Sequence, residues 1–119
     1  MVKKTNSQGI FRSREGGTVV HDSISIQNLQ AAVAPLAAQY GVERMYLFGS
    51  RARGDHRPDS DYDFLISKGN VRSLFTHAAL WQDLERVLQA PVDLVTDTSS
   101  NQELIHQARK DAILIYEKQ

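Results

Sequence analysis

Cysteine is absent from this chain of 119 residues. That absence excludes a disulfide frame, a thiolate metal site and a cysteine nucleophile at once. Long apolar runs are missing too: none approaches the roughly 18 residues that a membrane-spanning helix needs, and the N-terminus lacks the apolar core of a secretory signal. Neither sign of charge is in excess, with 14 Lys and Arg against 14 Asp and Glu. A chain that grips nucleic acid by its phosphates carries a strong basic face. Balanced charge, and a length with no room for a template-gripping domain, therefore argue against a nucleic-acid binder. What is present is an ordinary 41% of hydrophobic residues, enough for one domain with a core of its own. The expectation is a soluble, cytoplasmic protein.

Residues 1–22 are polar and weakly periodic and read as a flexible arm, with the domain proper spanning 23–119; Gly17-Thr-Val-Val could pair as an edge strand. From Ser25 to Tyr40, Ile26, Leu29, Val33, Leu36 and Ala37 recur at helical spacing, with Pro35 marking a kink or break and Gly41 a stop. Glu43 to Phe48 reads as a strand, and Ser50 can open a short helix through Arg53. A loop follows, then a strand over Asp61–Ser67. The strongest helix is expected over Val71–Leu88, capped by Asn70, with Leu74, Phe75, Ala78, Trp81, Leu84, Val87 and Leu88 on one stripe. A third strand begins at Pro91, a helix runs from Ser99 or Ser100 to about Lys110, and Ala112–Tyr116 closes the chain. This order predicts a small α/β (α+β) domain, a mixed sheet covered by helices. The long helix between the second and third strands suits a crossover between parallel strands.

The chemistry concentrates between Gly49 and Asp93. Asp61 and Asp63, two apart on a strand, leave the same face while Tyr62 points the other way. Adjacent carboxylates repel unless a cation sits between them, and magnesium takes one or two carboxylates plus substrate phosphates. Phe48-Gly49-Ser50 stands where a strand opens a helix, so free backbone N–H groups favour an anion there. Gly49 admits close approach, and the Ser50 hydroxyl can donate to a phosphate. Asp93, in the apolar run Pro91-Val-Asp-Leu-Val, either faces solvent on an alternating strand or supplies a third carboxylate able to take a proton. Arg51, Arg53 and Arg57 could neutralise phosphate charge or pair with Asp55, Asp59 or Glu43; Arg53 is the strongest candidate of the three. His21, His56, His77 and His106 show no metal spacing. Phe75 and Trp81 read as core residues.

Gly49-Ser50-Arg51-Ala52-Arg53-Gly54, then Ser60-Asp61-Tyr62-Asp63-Phe64, then Val92-Asp93-Leu94 resembles the minimal nucleotidyltransferase family of the DNA polymerase beta-like superfamily. The resemblance spans about Ser25 to Tyr116 and shows no departure at the motif positions. His56 and the N-terminal arm are not explained by it. It implies the polymerase beta-like nucleotidyltransferase fold and transfer of AMP from ATP to a hydroxyl. Gly49, Ser50 and Arg53 would bind the nucleotide, and Asp61, Asp63 and Asp93 would hold two Mg2+ ions, with Asp93 assisting the base. Chains of this kind look like the antitoxin of a toxin–antitoxin pair whose partner is a helical HEPN-type ribonuclease toxin, neutralised by adenylylation of a tyrosine. Two alternatives are an adenylyltransferase acting on a small hydroxylated molecule such as an aminoglycoside, and a binding antitoxin that masks its partner without catalysis.

Overall fold

The computed structural model describes residues 25–119; the arm expected over 1–22, and the edge strand suggested within it, lie outside them. Helix α1 (Ile26–Gln39) opens at Ser25, whose Oγ accepts the Asn28 N–H at 3.1 Å. Its buried residues Leu29, Val33, Leu36 and Ala37 follow the helical period. Pro35 does not end the helix, which continues to Gln39. Leu36 and Ala37 are anchored in the core directly after it, and that packing outweighs the rung that proline forfeits.

The remaining elements are β1 (Arg44–Phe48), α2 (Ser50–Arg53), β2 (Tyr62–Ser67), α3 (Leu74–Leu88), β3 (Val92–Thr96), α4 (Gln102–Asp111) and β4 (Ile113–Glu117). The sheet order is β3-β2-β1-β4. β1 is antiparallel to both neighbours, whereas β2 and β3 are parallel, joined by α3 as the sequence suggested. This is the mixed sheet with helical cover read from the chain.

Alternation along the strands divides the core in two. One face of the sheet sends Met45, Leu47, Tyr62, Phe64 and Ile66 against Leu29 and Val33 of α1 and Leu80 and Leu84 of α3. The other sends Phe48 and Leu65 against Ile105 and Ala108 of α4. Asp63 shares the parity of Leu65, so its side chain leaves on the α4 face.

Helix α3 departs from expectation at its start and in its rotation. It begins at Leu74, because Ser73 rather than Asn70 supplies the cap, its Oγ accepting the Thr76 N–H at 3.1 Å. Only Leu80 and Leu84 of this helix are fully buried, while Leu74 and Phe75 are 85% and 89% exposed and Trp81 40%. The helix carries two apolar stripes at the same period, and the sheet selects one of them. Trp81 and Glu85, one turn apart, both reach the backbone of Val92 at the edge of β3. The indole Nε1 donates to its carbonyl at 2.6 Å, and the Glu85 carboxylate accepts its N–H at 3.0 Å. These two bonds fix the rotation and leave Phe75 outside.

Candidate active site

The candidate site lies where β1, β2 and β3 bring their ends together on the α4 face. Phe48, the last residue of β1, pairs with Asp63 of β2. The next residue, Gly49, has φ of 76°, which glycine adopts at little cost and other residues rarely do. Space makes the same demand: a Cβ at Gly49 would overlap the Asp63 carboxylate. The backbone that opens α2 is thus seated directly against a carboxylate. Gly54, with φ of 88°, closes α2 by donating its N–H to the Ser50 carbonyl at 2.8 Å.

Asp63 and Asp93 are register partners across the parallel β2–β3 ladder, so their side chains stand on the same face of adjacent strands. Asp61 lies one residue before β2, exposed, on the parity of Asp63, while Tyr62 between them is buried in the opposite core. Asp93 is exposed within a strand whose neighbours Val92 and Leu94 are buried. It faces outward on an alternating strand, and it stands beside the first pair.

Asp63 carries the electrostatic signature of this grouping. Its carboxyl is pushed from 3.8 up to about 6, first by burial and then by the negative charges of Asp93 and Asp61, with Arg53 acting in the opposite direction. Among the described residues no three His, Asp or Glu side chains close on one metal-sized point. The carboxylates form an open row, not a cage. Such a row fits magnesium, which is ordinarily held by one or two carboxylates and completes its shell from phosphates and water. Crowded anionic oxygen and a raised carboxyl are what a bound cation would relieve.

Two of the arginines read from the sequence have partners near the row. Arg53 spends its guanidinium on the carboxylates of Asp55 at 3.1 Å and Asp111 at 2.9 Å, the surface pairing that competed with a nucleotide role. Arg51 is buried, and it donates to backbone carbonyls of the 54–60 loop instead of facing the open row. His77 lies against Trp81, edge to face at 6.2 Å, on the element that covers the other side of the sheet. Trp81 and Glu85, which secure the strand carrying Asp93, were missed in the sequence because both looked like ordinary helix residues. Their separation by four, facing an edge strand, was the available signal.

The profile of the family "Polymerase beta, Nucleotidyltransferase" matches residues 24–119. The chain belongs to this nucleotidyltransferase family. Its relatives include a Methanocaldococcus jannaschii protein provisionally named a protein adenylyltransferase, 35% identical over 76% of this chain and 92% of its own length. A second, the protein adenylyltransferase MntA of Thermococcus cleftensis, is 37% identical over 60% of this chain and 72% of its own. Among solved structures, one described provisionally as a minimal nucleotidyltransferase superposes with a TM-score of 0.65 at 36% identity, covering 76% of this chain and 95% of that one. Two more distant structures share the fold. A toxin–antitoxin with AMP-PNP gives a TM-score of 0.66 at 24% identity over 76% of this chain and 74% of that one. A tri-AMPylated Shewanella oneidensis HEPN toxin in complex with its MNT antitoxin gives 0.63 at 21% over 79% and 74%.

Proposed function

We propose that this nucleotidyltransferase moves AMP from ATP, with magnesium, to a tyrosine hydroxyl of a HEPN-type ribonuclease toxin in the cytoplasm, and neutralises it by that modification. The observation that carries the reading is the convergence of three strand ends, with Gly49 against Asp63 and Asp63 in register with Asp93. The names of the relatives supply the transferred group, and the toxin–antitoxin neighbours supply the kind of partner.

In this reading Gly49 and Ser50 receive the terminal phosphates, the glycine by admitting the backbone and the serine by its hydroxyl. Asp61 and Asp63 hold the metal at the nucleotide. Asp93 faces the acceptor side, where it would accept or help to remove the hydroxyl proton. Arg53 moderates the charge of Asp63 and, if released from Asp55 and Asp111, could reach a phosphate. Magnesium would supply neutralisation of phosphate charge and activation of the acceptor oxygen. Phosphoryl-type transfer of this kind draws mainly on positioning and charge compensation, which rigid strands provide.

The test uses the purified chain, Mg2+, ATP labelled at the α-phosphate and a HEPN-type toxin as partner. Label should pass to that partner in AMP-sized mass steps and vanish with Asp61→Asn/Asp63→Asn. A partner left unlabelled, while the chain still binds nucleotide, would refute the proposal. Undiminished neutralisation by the double variant would establish masking instead, and labelling of an aminoglycoside by the isolated chain would establish the small-molecule reading.

A further inference from the structure

We infer that Arg51 is the positioning residue for Asp61, the one carboxylate of the row that the sheet does not hold. Asp63 and Asp93 are fixed by the β2–β3 ladder. Asp61 precedes that ladder, is exposed, and among the described residues makes no side-chain hydrogen bond or ion pair. Its placement depends on what holds its two covalent neighbours: the ladder fixes the Tyr62 backbone, whose N–H donates to the Pro91 carbonyl at 3.0 Å, and Arg51 contacts both.

On one side, the Arg51 guanidinium grips the Ser60 carbonyl with Nε at 3.1 Å and Nη2 at 2.9 Å, and Nη2 also reaches the Pro58 carbonyl at 3.3 Å. On the other, its Cζ lies 4.0 Å from the centre of the Tyr62 ring, which in turn stacks on Phe64 at 6.3 Å with planes 9° apart. One planar group therefore closes a bracket around Asp61: a fork on the residue before it and a flat face on the residue after it. The chemistry explains why this must be arginine. A fork that donates twice to one oxygen while stacking on a ring is available to a guanidinium and not to an ammonium. Arg51 is also only 9% exposed. A buried cation that grips two backbone carbonyls and lies on a ring is poorly placed to serve as a mobile counter-charge for a triphosphate. It belongs instead to the frame, tying the 54–60 loop to the same short helix that follows Gly49.

The inference rests on the reading of Asp61 as a metal-holding carboxylate, and the test separates the two. Mn2+ binding to the full chain is measured by electron paramagnetic resonance for wild type and Arg51→Lys, alongside thermal melts and amide exchange at Asp61 and Tyr62. Arg51→Lys should bind Mn2+ about tenfold more weakly, the scale of losing a group that orients a metal ligand. It should exchange faster at those two amides and need correspondingly more metal for AMP transfer, with the KM for ATP at saturating metal unchanged. If Arg51→Lys fails to fold, Tyr62→Leu, which removes the ring beneath the guanidinium, should show the same weakening. A folded Arg51→Lys with wild-type Mn2+ affinity overturns the positioning role alone. A wild-type chain that binds no Mn2+ overturns the metal reading, and this inference with it.

Discussion

Asp63 is where local structure most clearly turns into chemistry. It sits on a central strand, against the backbone of Gly49 and beside two further carboxylates, and its carboxyl is raised from 3.8 to about 6. A carboxyl whose pKa is higher in the folded than in the unfolded state binds more protons when folded between those values. The metal-free protein should therefore lose stability as pH rises from about 4 to 6 and then level off. Asp63→Asn removes the burial and repulsion penalties, so the apo variant should melt about 2–5 °C above wild type at pH 7.5, with the difference vanishing near pH 4. Differential scanning fluorimetry without metal, repeated across pH, measures this directly. Equal melting at pH 7.5 would show that the charge is already compensated. The pairing of Asp61 with Asp63 was legible from a spacing of two. The proximity of Asp93 was expected from the family resemblance and not from spacing, since strand register is a tertiary property, and the burial of Arg51 was not legible, because it grips backbone carbonyls that no side-chain pattern reveals.

Among the elements, α3 best separates what periodicity fixes from what it leaves open. Helical spacing gave its existence and its C-terminal end at Leu88, yet Leu74, Phe75 and Trp81 are as well spaced for a core stripe as Leu80 and Leu84. Binary pattern alone could not choose between the stripes; the bonds of Trp81 and Glu85 to Val92 accompany the choice. The expected outcome follows from burial. Leu84→Ala, in a fully buried position, should cost about 2–5 kcal/mol. Phe75→Ala, at 89% exposure, should stay within about 0.5 kcal/mol. Urea unfolding of both variants checks the rotation of the helix, and reversed magnitudes would mean that the helix packs by its other face. The strand ends and α4 deviate from expectation by a residue or two, the ordinary consequence of caps such as Asn101, which accepts the Leu104 N–H at 3.1 Å.

At the scale of the molecule, both core clusters, all four strands and the row of carboxylates lie between Ile26 and Glu117. The family match covers the same span, from residue 24 to 119. A fragment comprising residues 23–119 should accordingly melt within about 2 °C of the full chain and retain AMP transfer. Comparing the two by calorimetry and labelling tests the domain boundary, and a fragment that fails to fold would assign residues 1–22 to the domain. The mixed sheet and its parallel pair were readable because a long helix between two strands leaves few alternatives. The order of the strands was not readable, since β4 could have paired at either edge.

The clasp on Val92 has one more consequence. Among the described residues β3 is an outer strand, and outer strands ordinarily offer unpaired N–H and C=O groups to any extended segment that comes alongside. At Val92 both groups are already occupied, by Glu85 and Trp81. An extended segment coming alongside therefore finds no free backbone partner at the residue before Asp93, and any pairing with this edge has to begin further along the strand.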